Sequence, residues 1–151
     1  MFKISPKSEK SVDSYFSLFW EKYCAELIES GVSESAAVQE VKETKNSIFT
    51  DDTLNPQNKL FDVINEGIFV GDLWLVAKEN GKWWIYDLEI TGPNRAQGLG
   101  RKTLQEAEIY AKRNGCKELR LSVFGFNDVA KHLYDSLGYQ TTRIQMKKDL
   151  T

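Results

Sequence analysis

Residues 59 to 91 constrain the fold more than any other stretch, because they read as three β-strands laid end to end. Lys59 to Asn65, Ile68 to Lys78 and Lys82 to Thr91 are rich in β-branched and aromatic residues. Short turn signals separate them, "NEG" and "ENGK", and the Asn80-Gly81 pair suits the positive φ angles of a tight hairpin. Three strands joined so closely must run antiparallel, as a meander. Gly71, inside the middle run, marks a bulge.

The segments flanking the meander carry a different period. Residues 2 to 5 read as a short strand stopped by Pro6. From Val12 to Ser30, the positions Val12, Phe16, Phe19, Tyr23 and Leu27 recur every three or four residues, as on one helical face, and Gly31 ends that helix. Ser33 caps a second helix that continues to about Lys45, since its hydroxyl can accept a first-turn N–H. The stretch "TDDTLNPQN", 50 to 58, reads as a loop. Beyond the meander, a helix from Leu99 to Asn114 presents Leu104, Ala107 and Ala111 on one face and stops at Gly115. Leu119, Leu121 and Val123 alternate as a strand. Asn127 opens a short helix with Ala130, Leu133, Tyr134 and Leu137 inward, and a last strand is expected from Tyr139 to Lys147. Helices alternate with strands only in the second half, so the expected class is α/β with a mixed sheet, antiparallel first and parallel across the long helix. A length of 151 residues suits one domain, 1–151.

Composition removes several classes of partner. Twenty Lys and Arg stand against 22 Asp and Glu, mixed along the chain, with no basic run to track a phosphate backbone, so nucleic acid is not expected. No apolar run approaches the about 20 residues of a membrane span, and the first ten residues do not resemble a signal peptide. A cytoplasmic protein with no membrane partner is expected. Cys24 and Cys116 have no CxxC or histidine companion, and no metal site is expected.

The loop "NRAQGLGRKTL", 94 to 104, carries the chemistry. It is not a Walker loop, because Gly100 is followed by Arg101, Lys102 and Thr103 rather than by Lys and a hydroxyl residue. A dinucleotide fingerprint would need glycine where Thr103 stands, and would follow the first strand of a βαβ unit. What survives is the shared physics: successive N–H groups, freed by glycines, face an anion at the positive end of a helix dipole. A phosphate or pyrophosphate belongs there.

Those residues carry a family resemblance. "RAQGLG", Arg95 to Gly100, resembles the Arg/Gln-x-x-Gly-x-Gly/Ala acetyl-CoA motif of the GCN5-related N-acetyltransferases (GNAT), and it lies between the fourth strand and the long helix, as in that family. "NDVAKHLYDSLGY", Asn127 to Tyr139, resembles the second signature. The resemblance implies the GNAT acyl-CoA N-acyltransferase fold, with a parallel strand pair splayed to hold the coenzyme. It implies acetyl-CoA as acyl donor, its pyrophosphate on the backbone of Ala96, Gln97, Gly98, Leu99 and Gly100, with Arg95 opening the motif and Arg101 at the helix start. It further implies pantetheine along Leu88, Glu89 and Ile90, a contact from Asn127, and Tyr134 as the acid that protonates the departing thiolate.

A base must also take a proton from the acceptor amine. Glu89 is the candidate and Asp87 the other, both on one face of their strand; Ser122 stands where some relatives place a catalytic glutamate. Each of these residues has a plainer reading: Tyr134 as core, Glu89 and Asp87 as solvated, Asn127 as a helix cap, His132 as a surface histidine. The resemblance implies an acceptor that is a primary amine on a small molecule or peptide, attacking directly in a ternary complex. Aromatics of the first helix and the meander, Tyr15, Phe16, Phe19, Trp20, Tyr23, Trp74, Trp83, Trp84 and Tyr86, could offer their faces to a cationic acceptor. The alternatives are a non-catalytic acyl-CoA sensor and an enzyme using a larger acyl group. A homodimer through the edge of the final strand is plausible on the same reading.

Overall fold

A computed structural model describes residues 1–151. The chain forms β1 (Phe2–Pro6), α1 (Glu9–Glu29), α2 (Glu34–Ile48), β2 (Phe49–Thr50), β3 (Thr53–Leu54), β4 (Asn58–Asn65), β5 (Ile68–Ala77), β6 (Lys82–Ile90), α3 (Leu99–Arg113), β7 (Glu118–Leu121) and α4 (Asp128–Ser136). Five strands form one sheet in the order β1-β4-β5-β6-β7. All neighbours are antiparallel except β6 and β7, which are parallel across the α3 connection. The mixed sheet expected from the change of pattern is present.

Turn chemistry fixes the meander. Glu66 and Gly67 both take positive φ between the paired residues Asn65 and Ile68, the backbone of a two-residue hairpin loop matched to strand twist. Asn80 and Gly81 also take positive φ, within the longer connection between the paired residues Ala77 and Trp83 of β5 and β6. Ser8 and Ser33 cap α1 and α2 through their hydroxyls, accepting from Ser11 N at 3.1 Å and Ala36 N at 3.3 Å. The first helix therefore starts at Glu9, three residues before the apolar periodicity begins.

Both faces of the sheet are covered, and strand alternation divides the side chains between them. Phe61, Val63, Leu73, Leu75, Trp83 and Ile85 pack with Leu104, Ala107 and Ala111 of α3. Leu60, Trp74 and Val76 pack on the opposite face with Phe16 and Phe19 of α1 and Ile48 of α2. Two bulges shape the strands that matter. One residue of β5, Val70, is unmatched beside Gly71, and one residue of β6, Tyr86, is unmatched between Ile85 and Asp87. Gly71 lies next to the first bulge, and its own role is clearance: a Cβ there would sit 2.2 Å from the Glu89 carbonyl oxygen.

Two expectations are corrected. Residues 50 to 58 are not wholly loop, because β2 and β3 form a small hairpin turned by Asp51 and Asp52, both at positive φ. That hairpin is too short to show an alternating pattern. The last strand, expected from Tyr139 to Lys147, does not form: these residues take no regular structure and join no sheet. Tyr139 is tied to the body by its N–H on the Tyr134 carbonyl and its hydroxyl on Glu108 at 2.7 Å, and from Thr141 onward every residue is exposed. Alternation supplies the faces of a strand, but a ladder also needs a partner edge.

Candidate functional site

The loop before α3 is built to leave its amides free. Gly92 to Asn94 make one tight turn, then Ala96 and Gly98 both enter the left-handed region, at φ 62° and 74°. That alternation keeps the chain off both strand and helix until Leu99. As a result, no backbone N–H from Ala96 through Arg101 donates to a protein acceptor. The last three belong to the first turn of α3, where N–H groups have no partner within the helix. Gly98 is placed for its φ, since a Cβ there would meet no atom within 4 Å, whereas Gly100 is placed for space against Leu133 of α4. Six consecutive donors at a helix N-terminus form an anion cradle.

Beside the cradle the sheet splits. β6 pairs with β7 only from Lys82 to Ile85, and the Tyr86 bulge falls where that pairing ends. From Tyr86 to Ile90, β6 keeps its bonds to β5 alone. Leu88 and Ile90 lie on this one-sided stretch opposite Leu73 and Gly71. The Ile90 carbonyl accepts from Arg95 Nε at 2.9 Å, and Arg95 Nη2 lies 3.4 Å from Glu89 Oε1, so Arg95 folds back onto the strand rather than over the loop. Arg101 also turns away, donating to Ser136 Oγ at 2.6 Å and tying α3 to α4.

Tyr134 projects from α4 and packs against the core on the α3 face of the sheet. Its ring packs edge-on against Tyr139, with centroids 5.6 Å apart. Its hydroxyl makes no hydrogen bond within the protein, and no buried side-chain polar atom lacks a partner, so the phenol oxygen reaches solvent. Burial of the ring, with a smaller contribution from the Asp87 charge, pushes the phenol up to about 12. It is a protonated donor at any physiological pH. Asn127 caps α4, its side-chain oxygen accepting from Ala130 N at 3.1 Å, as the helix-cap reading expects. His132 is exposed.

Asp87 and Glu89 do share a face, and α1 delivers a lysine to both. Lys22 Nζ bonds Glu89 Oε2 and lies 3.3 Å from Asp87 Oδ2, while Tyr15 donates to that same Asp87 oxygen at 2.5 Å. The Asp87 side chain is 13% exposed, against 34% for Lys22 and 36% for Glu89. Burial pushes the Asp87 carboxyl up, opposed by Lys22 and the Tyr15 hydroxyl. Burial lowers the Lys22 ammonium, but the two carboxylates outweigh it and its pKa is raised. Burial, then Asp87, raises Tyr15 well above the ordinary phenol, and burial raises Glu26 one turn beyond Lys22.

Sequence reasoning missed Lys22, and it named Tyr15 only as an aromatic face. Their spacing of seven residues places both on one helical face, but nothing local tells which strand that face meets. The pool of aromatics available to an acceptor shrinks as well. Phe16, Phe19, Trp74 and Trp83 are buried core. The chain's own cations already cover others: Lys45 lies over Trp20, Lys78 over Trp84 and Tyr86, and Arg120 over Trp84. Cys24 and Cys116 are free thiols, and no cluster of three or more potential metal ligands is present. No helix is long and apolar enough to cross a membrane.

Known proteins share this architecture and sequence. YycN of Bacillus subtilis (strain 168), an uncharacterized N-acetyltransferase, is 26% identical over 97% of both chains. Its crystal structure superimposes with a TM-score of 0.91, covering 100% of this chain and 99% of that one. A second uncharacterized N-acetyltransferase of that organism, YdgE, is 25% identical over 99% of this chain and 98% of its own. The aminoglycoside N-acetyltransferase AAC(6')-Iy, solved with CoA, shares the fold at 13% identity and a TM-score of 0.62, over 100% of this chain and 96% of that one. The acetyltransferase (GNAT) family model matches residues 14–139, and the chain accordingly belongs to that family of N-acetyltransferases.

Proposed function

We propose that the protein transfers the acetyl group of acetyl-CoA to a primary amine of a small molecule or peptide, by direct attack in a ternary complex. The observation that carries this reading is the run of unpaired amides from Ala96 to Arg101, opening α3 beside the split of β6 from β7. An array of donors on a helix dipole fits a pyrophosphate, and a strand edge bonded on one side only fits an amide-bearing arm such as pantetheine. That AAC(6')-Iy, of the same fold, was solved with CoA supports the assignment.

Bound acetyl-CoA supplies an activated thioester. The protein's own groups then divide the proton traffic. Ala96, Gln97, Gly98, Leu99, Gly100 and Arg101 hold the diphosphate through backbone N–H groups. Leu88, Glu89 and Ile90 offer backbone to the pantetheine arm, with Arg95 fixing the Ile90 carbonyl and Asn127 setting the angle of α4. Tyr134 donates a proton to the sulfur as the C–S bond breaks, a role suited to a phenol held neutral. Glu89, paired with Asp87, orients the acceptor ammonium and takes its proton, and Lys22 must give way for an amine to reach it. No metal takes part.

Thiol release from acetyl-CoA over polyamines, aminoglycosides, amino acids and peptide N-termini tests the reading. Release is expected with one amine class. Tyr134→Phe is expected to lower kcat by about 100-fold or more, the usual contribution of a general acid, with the coenzyme Kd by calorimetry unchanged. Undiminished kcat in Tyr134→Phe would remove the acid role, and a panel with no amine-dependent release would overturn the acceptor class.

A further inference from the structure

The two carboxylates assigned to an acceptor amine already hold one. Lys22 Nζ, a primary alkylammonium, bonds Glu89 Oε2 and lies 3.3 Å and 3.4 Å from the two Asp87 carboxylate oxygens. It also lies 5.4 Å from the centroid of the Phe19 ring, within the range of a cation–π contact. Its side chain is 34% exposed, so the ammonium stands at the rim of the site. Lys7, the other lysine bonded to carboxylates on this face, is different. Its Nζ is 2.6 Å from Asp62 and 2.5 Å from Asp72, and its side chain is only 2% exposed, sealed from any ligand.

The coenzyme track and the proton donor converge on Lys22. From Tyr86 to Ile90, β6 is bonded to β5 alone, and Glu89 sits between Leu88 and Ile90 on that stretch. An arm that starts at the cradle beyond Ile90 and follows the open edge runs toward the Tyr86 bulge, past both carboxylates. Tyr134 approaches from the α3 face. Burial raises its phenol and the Asp87 charge raises it further, which puts the phenol within electrostatic reach of the carboxylate that Lys22 contacts. A nucleophile, a proton acceptor and a donor for sulfur thus surround one short stretch of strand.

We propose that the chain acetylates its own Lys22 Nζ when acetyl-CoA is bound and no external amine has displaced that side chain. The step rests on the acetyl transfer proposed above and uses the same groups. The Lys22 ammonium gives one proton to Glu89, and the free amine attacks the thioester carbonyl, forming the C–N bond as the C–S bond breaks. The nitrogen sheds a second proton to solvent, while Tyr134 protonates the thiolate and recovers its proton from solvent. The products are Nε-acetyl-Lys22, the CoA thiol and one proton released. Because the new amide is neutral, Asp87 and Glu89 lose their counter-charge and open to a cationic acceptor.

Incubating the unaltered chain with acetyl-CoA and no amine tests this, read by intact mass and peptide mapping. One acetyl group per chain is expected, at Lys22, at a rate per chain independent of protein concentration. Lys22→Arg is expected to stay unmodified, and Tyr134→Phe to react about 100-fold more slowly. A chain that binds acetyl-CoA by calorimetry yet stays unmodified would overturn the proposal. So would acetyl groups spread evenly over exposed lysines, a rate that rises with protein concentration, or an unchanged rate in Tyr134→Phe. Amine-dependent thiol release with Lys22 unmodified removes this proposal alone; selective Lys22 acetylation with no release on any amine supports it and removes only the external acceptor. A chain that does not bind acetyl-CoA overturns both. Should Tyr134→Phe fail to fold, site selectivity and concentration independence in the unaltered chain decide.

Discussion

Gly71→Ala is the substitution whose consequence follows most directly from the coordinates. Gly71 pairs with Ile90 across the β5–β6 ladder, and a Cβ added to it would lie 2.2 Å from the Glu89 carbonyl oxygen and 3.1 Å from Ile90 Cδ1. Real Cβ contacts essentially never fall below 3.0 Å, and the nearer atom is backbone, so the strands must move apart by close to an ångström. Such a shift takes ladder bonds out of range, among them Thr91 N to Val70 O, now 2.9 Å. Two or three bonds at ~1 kcal/mol each give a loss of about 2–3 kcal/mol, near the top of the range for overpacking. For a chain of this length, that is a fall in Tm of roughly 5–10 °C. The same shift displaces Glu89 from Lys22 and Arg95, so turnover is expected to fall along with stability. Urea unfolding followed by tryptophan fluorescence measures the first effect, and thiol release the second. Gly67→Ala is the control: Gly67 is at φ 76° with nothing within 4 Å of the added Cβ, so only the conformational cost of about 1–2 kcal/mol applies. A Gly71→Ala protein within 0.5 kcal/mol of the unaltered chain would show that β6 yields freely there, and the steric account would fail.

Lys22→Met should destabilise the fold by about 1–2 kcal/mol, below the range for a fully buried pair because Lys22 and Glu89 are partly exposed. Because the folded-state pKa of Lys22 is raised, its contribution is fully present below pH 10.5 and is lost as pH rises beyond, so the stability gap between the two proteins should close in alkali. The same variant should lower KM for a cationic acceptor, since the amine no longer displaces a lysine from Asp87 and Glu89; a higher KM would mean that Lys22 itself binds the acceptor. Gly98→Val should weaken coenzyme binding by calorimetry, because a β-branched residue resists φ 74° and would withdraw the amides that follow. Asn127→Ala should cost about 1 kcal/mol in unfolding experiments through the lost cap of α4, and an equal Tm would show that the cap contributes nothing.

Local chemistry was legible wherever it acts within a few residues. The hairpin at Asn80-Gly81, the caps at Ser33 and Asn127, the strand runs of the meander and the free amides before α3 all follow from backbone constraints that a short peptide already contains. The two motifs fixed which loop and which helix to watch for the same reason, since each lies within one element and its flanks. Sequence alone also placed Asp87 and Glu89 on one face, because strand alternation is local.

What joins those elements was decided only by the tertiary structure. Lys22 and Tyr15 meet Asp87 because α1 crosses the sheet where β6 bulges at Tyr86, and neither the crossing nor the bulge has a signature in α1. Arg95 opens the motif and Arg101 starts the helix by position alone, whereas their partners Ile90, Glu89 and Ser136 are set by how the loop and α4 fold back. The segment after Tyr139 has the alternation of a strand and remains unpaired within this chain, because pairing belongs to two segments at once. Period and turn chemistry are properties of the chain near a residue; salt bridges and ladders are properties of a distance that only folding sets.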